Sequence, residues 1–143
     1  MQKVLLATDG SEDADRALAI ALDLVKALNG NLVIATVSED NFSAKQLEEL
    51  SRLGIAEGDA LEELSRRIVV RAKELAHKHG ITNVKTSILV GDPADMIIDI
   101  AQREQVDAIV VGRRGRGRLS GLLLGSVSQK LASLAACVII IVP

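Results

Sequence analysis

Apolar residues recur along the chain in two rhythms, and the alternation between them predicts the architecture. Val4 to Thr8, Leu32 to Val37, Ala108 to Val111 and Val138 to Val142 are short, nearly unbroken apolar runs. Such runs, bounded by turn signals, predict strands buried on both faces. Between the first two, Ala14, Ala17, Leu18, Ala21, Leu24, Val25 and Leu28 fall on one face at helical spacing. Ser11 is placed to cap that helix, Glu12 and Asp13 suit its positive end, and Asn29-Gly30 closes it. Strand, helix, strand at this spacing is a βαβ unit, which implies parallel pairing.

The middle of the chain is longer than one crossover requires. Residues 43 to 53 predict an extra helix after the second strand: Ser43 and Gln46 form a capping box, and Phe42 with Leu47 a hydrophobic staple. Leu47, Leu50 and Leu53 mark its apolar stripe, and Gly54 before Ile55 suits a left-handed cap. A second helix is predicted from about Asp59 to Gly80 through Leu61, Leu64, Ile68, Ala72, Leu75 and Ala76. Val84 to Val90 alternates Val84, Thr86, Ile88 and Val90 against Lys85, Ser87 and Leu89, the half-polar pattern of an edge strand. Asp92-Pro93 opens the next helix, with Ala94, Ile97, Ile98 and Ala101 toward the core. The last helix runs from about Ser126 to Ala135. The whole predicts a single α/β domain over residues 1–143: an open parallel sheet of five strands, doubly wound, with helices on both faces.

Composition narrows the functions available to such a domain. At 143 residues and 48% apolar content the chain can bury a core. Seventeen basic against 19 acidic residues leave a formal charge of −2, without the basic excess of a nucleic-acid binder. Phe42 is the sole aromatic residue, so there is no platform on which bases would stack. Cys137 is the sole cysteine, which excludes an internal disulfide. It begins an apolar strand and reads as an inert, buried thiol. No apolar run approaches the ~20 residues of a membrane helix, and the N-terminal run is too short for a signal peptide. The expectation is a soluble cytoplasmic protein without membrane or nucleic-acid partners.

In open α/β sheets, ligands bind beyond the carboxyl ends of the strands where the strand order reverses. Asp9-Gly10 and the stretch from Gly112 to Ser126 would meet there. Glycines let backbone N–H groups approach an anion, and the start of the last helix adds unpaired donors. The hydroxyls of Ser126 and Ser128 can donate as well. The result is a phosphate cradle without a Walker lysine or a complete dinucleotide fingerprint. Arg113, Arg114, Arg116 and Arg118 crowd a basic cluster beside it, suited to phosphate charge. His77 and His79, two apart at a helix end, do not share a face; they favour the negative end of the helix over a metal.

Gly112, Gly115, Gly125 and Ser126, with two and nine residues between the glycines, resemble the nucleotide motif of the universal stress protein family, in its ATP-binding branch. The likeness extends to Val4 through Ser11, to Gly91-Asp92-Pro93 and to the closing apolar strand, with residues 38 to 58 least familiar. It implies the adenine nucleotide alpha hydrolase-like fold with strand order 3-2-1-4-5, and ATP, with or without Mg2+, as ligand. It implies that Asp9 lies near the nucleotide, possible partner to the metal, while Val37, just past the second strand, offers backbone groups to adenine. Gly112 and Gly115 would flank ribose and phosphates, and Gly125, Ser126, Val127 and Ser128 would cradle the phosphate chain. Arg113 replaces the small hydroxyl residue common at its position, and Cys137-Val138 lacks a frequent proline.

Three functional classes fit: a nucleotide-dependent regulator of the stress response, a slow Mg-dependent ATP hydrolase, and a dimeric interaction module with a structural nucleotide. Asp9 is the one evident carboxylate at the site, and no base or metal cluster for fast chemistry accompanies it, so no catalytic residue is assigned. The regulator is favoured. The apolar Val138 to Val142, at a sheet edge, predicts a homodimer formed by antiparallel pairing of that strand.

Overall fold

The computed structural model describes residues 2–39, 44–54, 57–113 and 124–143. In chain order the elements are β1 (Lys3–Ala7), α1 (Glu12–Leu28), β2 (Asn31–Ser38), α2 (Ala44–Arg52) and α3 (Glu57–Lys78). They continue as β3 (Val84–Val90), α4 (Pro93–Arg103), β4 (Ala108–Gly112), α5 (Ser126–Leu134) and β5 (Val138–Val142). The five strands form one parallel sheet in the order β3-β2-β1-β4-β5, as the sequence predicts.

Strand alternation divides the core into two layers. Val4, Leu6, Leu32, Ile34 and Val110 turn to one face and meet α1 and α3. Leu5, Ala7, Val33, Ala35, Ile109 and Val111 turn to the other and meet α4 and α5. Because β1 is central and covered twice, its Val4, Leu5 and Leu6 are wholly buried, each contributing about 1.5–3 kcal/mol of apolar burial.

The helix ends follow local chemistry. The Ser11 hydroxyl accepts the Ala14 N–H at 3.3 Å, and Asn29, at φ 50°, turns the chain out of α1. Asp92 accepts the Asp95 N–H at 3.0 Å to start α4, with Pro93 next. Gly54, at φ 68°, follows α2 in the expected left-handed conformation.

Several expected side-chain placements are revised. In α1 the buried set includes Leu22 and Asp13, and Leu28 lies outside it. In α3 the buried line is Ser65, Val69, Ala72 and Ala76, while Leu64 is 45% exposed. The Ser65 hydroxyl sits 2.6 Å from that of Ser38 at the end of β2, which turns this polar position inward. Leu53 is exposed rather than part of a packed stripe. On β3, Val84 packs on the face that α3 covers and Leu89 packs on the opposite face, leaving Ile88 and Val90 exposed at the strand's end. Cys137 precedes β5 and is only half-buried; burial pushes its thiol pKa up, which keeps it protonated. Phe42, Ser43 and Ile55, invoked for the ends of α2, lie outside the described residues.

Candidate functional site

The strand order reverses at β1: β2 and β3 lie on one side of it, β4 and β5 on the other. The crevice beyond its carboxyl end therefore lies where the ends of β1 and β4 meet the starts of α1 and α5. The last β1–β4 pair is Ala7 with Val111, so Thr8-Asp9 and Gly112-Arg113 follow directly on neighbouring strands.

Asp9 opens a tight turn. Its Oδ1 accepts the Ser11 N–H at 2.9 Å, and the Thr8 hydroxyl accepts the Gly10 N–H at 3.2 Å. Gly10 has φ 77°, a conformation glycine adopts without strain. This turn fixes the Asp9 carboxylate at the head of α1, where the helix dipole favours a negative charge.

Gly112 is the last residue of β4, and its missing side chain is a packing requirement. A Cβ there would stand 2.8 Å from the Asp13 carbonyl carbon and 2.9 Å from its oxygen. The first turn of α1 thus lies directly against β4. Asp13 is 2% exposed and paired with Arg16, whose Nε donates to the Pro143 carbonyl at 2.8 Å. Sequence reading assigned Asp13 only to the helix dipole. Its helical spacing of four from Ala17, a core residue, was the signal that it points inward.

Arg113 joins three segments through its main chain. Its N–H donates to the Val142 carbonyl at 2.7 Å, and its own carbonyl accepts the Gly125 N–H at 2.8 Å. Its Nε is buried without a hydrogen-bond partner among the described residues.

Gly125 stands at the N-cap of α5, with no side-chain cap bond and no acidic residue in the first turn. The first N–H groups of α5 consequently carry the helix's positive end, and its N-cap supplies no side chain to complete them. Ser126 is exposed there and Val127 packs partly on the core. Ser128 is different: it is 2% exposed, and its Oγ lies 2.8 Å from the Gly112 carbonyl and 2.9 Å from that of Arg113. Its single proton is shared between two main-chain carbonyls, so the hydroxyl expected among the phosphate donors is engaged in holding the loop.

Val37 lies within β2, paired with Leu89 of β3, and not just past the strand. The Ala35 carbonyl accepts the Thr8 N–H at 2.9 Å, so β2 turns alternate peptide groups toward β1. By that alternation Val37, two residues on, turns its N–H and C=O the same way, beyond the final β1–β2 pair of Ala7 with Ala35. Gly115, Arg114, Arg116 and Arg118 lie outside the described residues.

Other charged groups near this end are engaged. Lys130 on α5 reaches Asp95 at 2.9 Å and Asp92 at 3.2 Å on α4; those contacts raise its pKa. The Asp95 N–H and then Lys130 lower that of Asp92. At the opposite end of the sheet, His79 Nδ1 lies 2.8 Å from the Leu75 carbonyl at the end of α3. Among the described residues, no three His, Cys, Asp or Glu side chains converge as a metal site. None of the described helices is long and apolar enough to cross a membrane.

Comparison with known proteins places the whole chain among similar ones. The model of the universal stress protein family matches residues 1–143. A universal stress protein of Thermus aquaticus is 34% identical over 142 residues, covering 97% of this chain and 96% of that one. The solved structure of the universal stress protein UspA from Lactobacillus plantarum matches with a TM-score of 0.80. It is 24% identical, covering 99% of this chain and 97% of that chain, and so speaks for the fold alone. A universal stress protein solved in complex with cAMP matches with a TM-score of 0.70 at 29% identity, covering 99% and 97% of the two chains.

Proposed function

The chain belongs to the universal stress protein family, and from that premise we propose that it binds ATP, with Mg2+, at the β1–β4 crevice and acts as a nucleotide-dependent regulator. The observation that carries this reading is the start of α5. A helix N-terminus with no side-chain cap and no acidic residue opens beside the end of β4, which is the arrangement that receives phosphate. Arg113 supports it, because a buried guanidinium donor without a partner among the described residues is one that an anion would complete. The relative solved with cAMP makes adenine nucleotides the natural class.

In this reading the phosphates lie against the N–H groups of Ser126 and Val127, with the Ser126 hydroxyl as a further donor. Gly112 and Gly115 admit the ribose and phosphates closely, and Gly125 lets the chain enter α5 without a side chain over the anion. Arg113 offsets phosphate charge. The main-chain groups of Val37 would face adenine, and Asp9 would be the residue to hold Mg2+. Bound Mg2+ would supply charge neutralisation. No described residue stands as a positioned general base, so turnover is slow and the bound state itself is the signal. The regulator is a homodimer through β5.

Denaturing freshly purified protein and identifying released small molecules by mass spectrometry tests the ligand. Calorimetry with Mg-ATP on nucleotide-stripped protein tests the affinity. We expect an adenine nucleotide in the first and saturable heat in the second. No released nucleotide together with no heat defeats the proposal in favour of a nucleotide-free interaction module. Multiple turnovers abolished by Asp9→Ala would replace the regulator with an ATP hydrolase.

A further inference from the structure

Ser128 is a wholly buried hydroxyl, in the first turn of a helix, that bonds nothing in its own helix. A serine in that setting ordinarily donates to a carbonyl one turn back or caps its own turn. Here the bond runs 16 and 15 residues back in sequence, to the carbonyls of Gly112 at 2.8 Å and Arg113 at 2.9 Å. Gly112 is in turn pressed against the Asp13 backbone of α1, and the Arg113 carbonyl also receives the Gly125 N–H. The end of β4 and the beginning of α5 are thereby fixed to each other and to the head of α1. That junction is where the connection between β4 and α5 leaves the sheet and where it returns.

We propose that Ser128 is a positioning residue for phosphate: it acts on the separation of the two limbs of the site and not on the ligand. The inference rests on the ATP reading above. Its physical basis is the directionality of anion capture by a helix start. The donors at Ser126 and Val127 serve an anion held near Gly112 only while α5 keeps its offset from β4. The Gly125–Arg113 bond fixes one point of that offset, and Ser128, three residues further on, fixes a second. Two points set the direction of the helix axis, which one point does not. Serine suits the role because one hydroxyl spans both carbonyls within a 2% exposed space. Alanine would leave those carbonyls short of a donor, and α5 free to tilt.

Ligands that differ only in phosphate separate this role from a general structural one. Calorimetry of stripped wild type, Ser128→Ala and Ser128→Thr with Mg-ATP and with adenosine gives the required ratio of affinities. Losing one such bond predicts a roughly tenfold weaker ATP affinity in Ser128→Ala. Adenosine affinity should stay within about twofold, and Ser128→Thr, which keeps the hydroxyl, should restore ATP. If Ser128→Ala does not unfold cooperatively, Ser128→Cys replaces it under reducing conditions. Its similar volume and weaker donor predict the same selective loss. Equal losses for ATP and adenosine, or no loss for either, overturn the assignment while leaving ATP binding intact. A wild type that binds neither ligand defeats the ATP reading itself, and this inference with it.

Discussion

Gly112 illustrates how one residue can be read correctly in place and incompletely in purpose. Glycine at the end of β4 reads from sequence as room for a phosphate or ribose. The structure adds a second demand, since the backbone of Asp13 occupies the space a side chain would take. A Cβ at 2.8 to 3.0 Å from main-chain and Cβ atoms cannot be relieved by rotating a flexible side chain. Either α1 or β4 must shift. We expect Gly112→Ala to lower unfolding free energy by about 1–3 kcal/mol, the range for overpacking a tight site. Urea denaturation measures this directly. A variant as stable as wild type would mean that α1 yields easily, and the rigid junction assigned to Ser128 would lose a support. The same junction explains why Asp13 escaped sequence reading: an acidic residue at a helix start has a sufficient electrostatic explanation, and only its spacing from Ala17 places it inside.

At the scale of elements, the strands were legible because burial on both faces leaves a run of apolar residues that little else produces, whereas their order followed from the family resemblance. The helix caps at Ser11 and Asp92 were legible because their chemistry is local. Faces were harder. The line on α3 passes through Ser65, whose inward turn depends on meeting Ser38 of another element. On β3, an edge strand, alternation does not decide how far each face is covered, and Ile88 and Val90 end up exposed. At the candidate site, the Asp9-Gly10 turn was legible because its conformation is local, and the contacts of Ser128 were not, because its partners are distant in the chain. A tie at the opposite end of the sheet shows the same non-local logic. The Asp107 carboxylate, just before β4, accepts the N–H groups of Gln2 at 2.8 Å and Lys3 at 2.9 Å. Those bonds, Gln2 first, lower its pKa below the ordinary aspartate value, about 3.9. A depressed folded-state pKa contributes stability that is fully present above the unfolded value and fades as pH falls through the folded one. Wild-type stability should therefore decline on acidification below about pH 4, and Asp107→Asn should flatten part of that decline. Urea midpoints collected across that window check the sign. A variant with an undiminished acid slope would show that this tie does not couple to folding.

At the scale of the whole molecule, the two sheet edges differ in how they meet solvent. β3 presents Lys85, Thr86 and Ser87, whereas β5 reads Val-Ile-Ile-Ile-Val, with Val138 at 49% exposure. An apolar edge with exposed main-chain groups favours pairing with another strand, and a second copy of β5 gives a closed two-fold arrangement. The hydrogen bonding identifies which groups would pair. The Val138 N–H donates to Asp107 at 3.3 Å, and the Val142 carbonyl accepts from Arg113, so both residues face the β4 side. By alternation Ile139 and Ile141 turn their N–H and C=O outward. Ile139→Pro would remove an outward donor without removing a β4–β5 bond, while Ile139→Ala makes a comparable side-chain loss and keeps the donor. Sedimentation at matched concentration should therefore find wild type and Ile139→Ala dimeric and Ile139→Pro shifted toward monomer. A monomeric wild type, or an Ile139→Pro protein that dimerises as tightly as Ile139→Ala, would rule out pairing through this edge. Because the Arg113 N–H donates to Val142 and the Arg113 carbonyl receives the Gly125 N–H, the strand proposed to pair and the loop proposed to hold phosphate meet at one residue. If Arg113 transmits between the two, nucleotide and self-association are linked, each shifting the other's equilibrium by the same factor. Repeating the sedimentation of wild type with saturating Mg-ATP should then move the dimer equilibrium. An unchanged constant would show that the shared residue holds the loop and the edge without transmitting between them.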